Sequence, residues 1–169
     1  MEHELETTRM SPVKYRESFI LKNLGRDLSN FTECTLKINS IASNPAAKSF
    51  KERIERLMKE LNRILHFFNL WNDLQKYWAY LLPIFHQRDI AQHMPEQYEK
   101  FVLIDRIYRR EVAFAESLCR TYRKFSKRDS LRENINIMMS QFEYLMKCLI
   151  KYLEKKREYF PRLYFLSNE

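Results

Sequence analysis

Glycine is almost missing from this 169-residue chain, with Gly25 the single example. A phosphate-cradling loop therefore cannot be written, neither a P-loop nor a GxGxxG, and tight hairpins lose their commonest turn residue. Five prolines add few chain breakers, so long helices with brief connections are expected. Cysteine is also scarce. Cys34, Cys119 and Cys148 are odd in number, far apart and without a CxxC pair, which favours reduced thiols over a disulfide framework or a zinc site. No apolar run approaches the ~18 residues needed to span a bilayer. The start of the chain, with Glu2, Glu4 and Glu6, lacks the cationic and apolar regions of a signal peptide, so an intracellular protein is the expectation.

What is present is apolar and aromatic: 45% hydrophobic residues, 14% of the chain aromatic, enough to build the core of one domain. Thirty basic against 22 acidic residues give a net charge of +8, a mixed surface that permits an acidic partner without naming one.

Residues 1–12 read as a flexible, polar N-terminal stretch, and residues 13–169 as one helical unit. Ser11-Pro12 offers a start signal, followed by Val13, Tyr15, Phe19, Ile20, Leu21 and Leu24 before Gly25 interrupts. From Asp27 to Ile41 the spacing allows a helix, although "CTLKINSI" alternates well enough to pass as a strand. Asn44 then caps a helix whose first residue is Pro45, where a missing N–H costs nothing. Phe50, Ile54, Leu57, Leu61, Ile64, Phe68, Trp71, Gln75, Trp78 and Leu82 step by four and three, a heptad seam with one polar member that runs to Pro83. Pro95 opens a second long helix, to about Phe125, burying Phe101, Ile104, Tyr108, Val112, Ala115, Leu118 and Tyr122. A third starts at Ser130 with a capping box to Glu133 and carries Leu131, Ile135, Met138, Phe142, Leu145, Leu149 and Tyr152 on one face, ending near Glu158. The fold class predicted is all-α, an elongated, rod-like bundle of long antiparallel amphipathic helices.

Candidate sites are few. His86, Asp89 and His93 lie close together in the connector "PIFHQRDIAQHM", but surface or capping roles are favoured over metal ligation because no second cluster completes a site. No Ser, Cys or carboxylate stands in a recognisable nucleophile setting, so no catalytic residue, cofactor or metal is assigned. Arg106, Arg109, Arg110, Arg120, Arg123, Lys124, Lys127 and Arg128 could form a phosphate-binding stripe, though Glu111 and Glu116 interrupt it and a solvated outer face is the stronger reading.

Three blocks of sequence resemble the linker region of dynein heavy chains. The first holds Trp71, Gln75, Trp78, Tyr80, Leu81, Pro83, Ile84 and Phe85, matching the family's "Q..W.YL.PIF". The second holds Asp89, Ile90, Pro95 and Phe101, matching "DI....P....F". The third runs through Tyr152, Leu153, Glu154, Lys156, Arg157, Phe160, Pro161, Arg162, Tyr164, Phe165, Leu166, Ser167 and Asn168, matching "YLE.KR..FPR.YFLSN". Upstream, "ILKNL" and "IASNPAAKSF" extend the resemblance to roughly Tyr15–Glu169. Leu82, Gln97, Tyr108 and Leu163 depart from the family's usual residues.

The resemblance implies part of the linker, a helical lever lying across dynein's AAA+ ring, with the family's nucleotide and microtubule sites outside this segment and no ATPase activity within it. It further implies the rest of the heavy chain as partner, intermediate and light chains indirectly, microtubules only through the parent motor, and a place in cytoplasm and cytoskeleton, including the ciliary axoneme. The alternative is an autonomous basic helical module that binds nucleic acid or an acidic protein. The closing apolar stretch "RLYFL" reads as a cut edge, expected to fold back near Trp71 and Trp78.

Overall fold

The structure is a computed structural model that describes residues 7–117 and 121–159. The chain opens with an antiparallel hairpin, β1 (Ser11–Tyr15) and β2 (Ser18–Lys22), in the register Tyr15↔Ser18, Val13↔Ile20 and Ser11↔Lys22. Six helices follow: α1 (Leu24–Ala42), α2 (Lys51–Phe85), α3 (Arg88–His93), α4 (Pro95–Ser117), α5 (Tyr122–Phe125) and α6 (Asp129–Tyr159). The all-α class holds, with this hairpin as its small exception. No described helix is long and apolar enough to cross a membrane.

The hairpin corrects the helix start read at Ser11-Pro12. Phe19 and Leu21 alternate on one face as a strand's residues do, Val13 and Ile20 pair on the other, and Arg16, at φ 53, takes the left-handed conformation a two-residue turn demands without needing glycine. Pro12 sits opposite Leu21, a pairing whose N–H and C=O groups face away from the partner strand when the turn closes on Tyr15–Ser18, so its missing donor costs no ladder bond. Residues before the hairpin also engage the fold: Met10 is buried at 4% exposure, and Arg9 forms an isolated bridge with Thr121.

Gly25 does not interrupt. It stands in the first turn of α1, which begins after Asn23 at φ 61, and a helix's first turn already lacks backbone partners for its N–H groups. The alternating "CTLKINSI" is helical because Leu24, Leu28, Phe31 and Ile38 share one buried face. On the other sides Thr32 and Thr35 donate to the carbonyls of Leu28 and Phe31 at 2.9 and 3.0 Å.

Asn44 does cap, its Oδ1 accepting from Ala46 N at 3.0 Å, but the turn it starts is 3-10 over Pro45–Phe50 and α2 begins only at Lys51. At about 1.5 Å per residue, 35 residues make α2 roughly 50 Å long. It passes through Pro83 and stops at Phe85. Near a C terminus the ring forfeits a single hydrogen bond, to Ala79, and burial of Phe85 against Phe101 offsets that loss. His86 then closes the helix, its Nδ1–H donating to Leu82 O at 2.7 Å.

The second long helix ends earlier than predicted: α4 is described as far as Ser117, Thr121 is extended (φ −96, ψ 138), and Tyr122 belongs to the short α5. The last helix starts at Asp129, so Ser130 lies inside its first turn rather than at a cap. α2 and α4 run antiparallel, as do α4 and α6, which leaves α2 and α6 parallel neighbours. The core lies along α2, whose Leu61, Ile64, Phe68, Trp71, Trp78 and Leu82 are at most 1% exposed. Phe50 breaks the expected seam at 57% exposure, at the end of the 3-10 turn that joins α1 to α2.

Candidate functional site

Trp71 and Trp78 stand two turns apart on α2, and the ring of Tyr108, from α4, stacks on both, at 5.8 Å from Trp71 and 4.2 Å from Trp78. Phe125 of α5 closes the far side of Trp71 edge-on at 5.5 Å, and Tyr15 of β1 meets Trp78 edge-on at 5.9 Å. All three of Trp71, Trp78 and Tyr108 are fully buried. This aromatic column locks hairpin, α2, α4 and α5 together, with about 0.5–1.5 kcal/mol per ring pair beyond area burial. Burial, and then the nearby Asp105 carboxylate, push the Tyr108 phenol well above its ordinary value, so it stays neutral.

Polar bonds fix the column's orientation. Trp78 Nε1 donates to Asp105 Oδ1 at 2.8 Å, and the other carboxylate oxygen of Asp105 accepts from Arg109 Nε at 2.7 Å. Arg109 reaches on to the hairpin turn, its Nη1 donating to Glu17 O at 3.3 Å. Gln75, the polar member of the seam, binds the outer edge of β2: Oε1 accepts from Leu21 N at 2.7 Å and Nε2 donates to Leu21 O at 3.1 Å. β2 is thus held on one edge by β1 and on the other by a helix.

Three carboxylates staple the joint around α5. Asp27 of α1 accepts from the buried Tyr122 hydroxyl at 2.6 Å. Glu111, 2% exposed, accepts from Arg128 at 2.8 Å, Arg110 at 3.0 Å and Asn134 at 3.1 Å, tying α4 to α6. Arg128 also lies 3.8 Å over the Phe114 ring. Glu60 of α2 binds Arg123 Nε at 2.8 Å and Lys127 at 3.5 Å. Partial burial raises the Glu60 carboxyl, but the hydrogen bond and charge of Arg123 and the charge of Lys127 outweigh it and hold the group below the usual carboxylate range.

The sequence-predicted residues divide between core and surface. From the first block Trp71, Trp78, Leu81 and Phe85 are fully buried, Pro83 and Ile84 are half-buried, and Tyr80 is exposed at 51%. From the second, Phe101 stacks on Phe85 at 4.8 Å and Ile90 is buried, while Asp89 and Pro95 are exposed. From the third, Tyr152 approaches His93 at 6.0 Å and takes Lys156 over its ring at 5.3 Å; Leu153 and Glu154 are exposed and Arg157 is half-buried. Phe160, Pro161, Arg162, Tyr164, Phe165, Leu166, Ser167 and Asn168 lie outside the described residues. Described residues of the three blocks, Phe85, Phe101 and Tyr152, thus lie toward the end of the bundle where α2 ends and α4 begins. The fold-back expected of "RLYFL" falls on residues that lie outside the described residues.

His86 and His93 each bond the carbonyl four residues back, at 2.7 Å, as capping groups do. Among the described residues no group of three or more His, Cys, Asp or Glu could hold a metal ion. Most of the basic stripe is engaged within the fold: Arg109 with Asp105, Arg110 and Arg128 with Glu111, Arg123 and Lys127 with Glu60. Arg120 lies outside the described residues. Sequence reasoning missed the structural carboxylates Asp27, Glu60, Asp105 and Glu111. An acid falling on a helix's apolar face, as Glu111 does beside Val112 and Tyr108, was the available signal.

Residues 1–169 match the family described as dynein heavy chain, N-terminal region 2. The chain is similar to dynein axonemal heavy chain 12 of Homo sapiens, 35% identical over 134 residues, covering 79% of this chain and 4% of that protein. It is also similar to human dynein axonemal heavy chain 3, 32% identical over 136 residues (79% of this chain, 3% of that protein), and to human dynein axonemal heavy chain 1, 29% identical over 177 residues (100% and 4%). The chain thus spans only a few per cent of the length of these relatives. The matched region is separate from the ATPase ring, in keeping with a segment that carries no catalytic activity of its own. Whole-length agreement with the family, and relatives 32% and 35% identical over 79% of this chain, lead to one conclusion: this chain belongs to the dynein heavy chain family, as its N-terminal region 2.

Proposed function

We propose that residues 13–169, with the hairpin-side residues packed on them, form part of the linker of a dynein heavy chain, the lever that couples ATP-driven changes in the AAA+ ring to microtubule-based movement. The observation that carries this reading is the aromatic column. Trp71 and Trp78 of the first family block stack on Tyr108 inside a core that four elements share, so the helices move as one body. A lever has to transmit strain, and close-packed interiors do so because they deform little. The residues of the three blocks act structurally in this reading, setting helix ends and packing rather than binding a cofactor.

The partners are then the remainder of the heavy chain, AAA+ ring and remaining linker included, with intermediate and light chains engaged indirectly and microtubules only through the whole motor. The names of the relatives place them among axonemal dyneins, and the ciliary axoneme within the cytoskeleton is the proposed location. Nothing favours the basic interaction module, since five of its eight cations pair with carboxylates of the same fold.

The test is a chimera in which this chain replaces the matching stretch of human dynein axonemal heavy chain 12, assayed for microtubule gliding and for ring ATPase. Gliding is expected with this chain in place, and Tyr108→Ala in the chimera should slow it several-fold while ATP hydrolysis persists. Gliding at full velocity with the column broken would defeat the lever reading.

A further inference from the structure

Glu60 of α2 is one carboxylate set among three cations. Arg123 Nε takes its Oε1 at 2.8 Å, while Arg63 and Lys127 reach the same oxygen only at 3.5 Å, outside the range of a well-made hydrogen bond. One negative charge, on an oxygen that Arg123 already occupies, thus faces cations from α2, from α5 and from the turn before α6. Like charges gathered this closely repel one another unless anions are interleaved. Exposed Arg56 and Lys59 on α2, and exposed Lys124 on α5, add to the positive potential around the cluster. The cations are within reach of solvent: the side chains of Arg63 and Arg123 are 32% exposed and that of Lys127 51%, against 16% for Glu60.

Arg63 supplies a second observation. Its Nε–H is buried and has no acceptor among the described residues. A buried donor left without a partner is costly, and the long contact to Glu60 does little to hold the guanidinium where it is. The head group therefore gains by turning toward an oxyanion that arrives at the rim.

We propose that the α2–α5 joint binds a phosphate group, held between Arg63 and Lys127 on the solvent side of the Glu60 staple with Arg123 beside it. The chemistry favours phosphate over a second carboxylate. A phosphate dianion brings more charge to a cluster where one acid serves three bases, and its tetrahedral oxygens accept from donors that arrive in different directions. A guanidinium fork beside a lysine ammonium, which acts as a point charge, suits that group. The site is not the stripe considered from the sequence: Arg109, Arg110 and Arg128 are turned to Asp105 and Glu111, and Arg63 was no part of it. A cluster this small fits a single phosphate group rather than a nucleic-acid backbone. Inorganic phosphate and a phosphorylated side chain present the same dianion.

The experiment titrates the full chain, labelled with nitrogen-15, at constant ionic strength and about pH 7.5, where phosphate is mostly the dianion. The probes are inorganic phosphate, N-acetylphosphoserine amide and acetate, and the readout is the arginine Nε–H resonances. A saturable shift of the Arg63 and Arg123 signals is expected with both phosphates. Tighter saturation by the phosphoserine amide would mark a phosphorylated side chain as the source, and equal saturation the phosphate group by itself. Arg63→Lys keeps the charge without the guanidinium and should weaken phosphate binding at least fivefold, read at Arg123. Glu60→Gln removes the competing negative charge and should tighten it at least threefold, a gain that loss of folding cannot produce. Shifts that rise without saturating, or a response to acetate equal to that to phosphate, would overturn the proposal. So would an unchanged affinity in Arg63→Lys, or an unchanged or weaker one in Glu60→Gln.

Discussion

Gln75 holds both backbone polar groups of Leu21, accepting from its N–H at 2.7 Å and donating to its carbonyl at 3.1 Å, across 54 residues of sequence. A side-chain amide here does the work of a third strand. It satisfies an edge that would otherwise be left unpaired beneath a helix.

Gln75→Leu should therefore destabilise, although it would complete the apolar heptad. Orphaning two part-buried backbone groups costs about 1–3 kcal/mol, more than one added apolar contact returns. Urea denaturation gives the sign: a midpoint at or above that of the parent chain would contradict the role given to this residue. Amide exchange at Leu21 should quicken in the same variant.

The two tryptophans should respond differently to the same change. Trp78 Nε1 donates to Asp105, whereas Trp71 Nε1 is buried with no hydrogen-bond partner among the described residues. Trp71→Phe and Trp78→Phe remove similar volume, but the second also breaks a bond to a charged group, so it should be the more destabilising by about 1.5–3 kcal/mol. Equal losses in thermal or urea unfolding would show that the Asp105 bond contributes nothing net.

Glu111 is predicted to be costly to strand. Arg128→Ala removes its shortest contact, leaving a buried carboxylate with Arg110 and Asn134, and the expected loss is about 3 kcal/mol. In the background of Glu111→Gln the same Arg128→Ala change should cost at least 1 kcal/mol less, measured as a double-mutant cycle. Additive losses would argue that Arg128 acts through its contact with Phe114 instead.

Acid should release the α2–α5 staple through Glu60. Its carboxyl titrates lower when folded than its ordinary value of 4.5, so its contribution is present above that pH and is lost as the pH falls through the folded value. The parent chain should lose stability below about pH 4.5 more steeply than Glu60→Gln, the two curves converging in acid. Parallel curves from pH 6 to pH 3 would rule out Glu60 as a contributor.

How much of this was readable beforehand differs by element. The buried stripe of α4, from Phe101 to Ala115, was predicted residue by residue, because a helix against a core has one apolar face and a fixed period. The all-α class followed from the same periodicity and from the want of glycine. The strands were not readable as strands: Arg16 carries the positive φ that sequence rules assign to glycine or asparagine, and Ser11-Pro12 imitates a helix start. At Pro83 the local rule was overridden, since the stacked pair Phe85 and Phe101 stabilises the last turn beyond it.

The candidate site shows the same division. Trp71, Gln75 and Trp78 stood out in the sequence by spacing and by family pattern, as did the blocks around Phe101 and Tyr152. Their joining did not. Tyr108 lies 30 residues from Trp78, Gln75 lies 54 from Leu21, and Tyr122 lies 95 from Asp27, and contacts across such separations depend on which helix faces which. Nor could charge counting separate Glu111, buried among donors, from Glu116 on the same helix. The sequence by itself determined helix content, the apolar faces and the family, because those are local properties repeated along the chain. Only the tertiary structure decided which polar groups are buried and with whom. A carboxylate or an amide is stable inside a protein only where partners from distant segments meet it, and that meeting is a property of the packed fold.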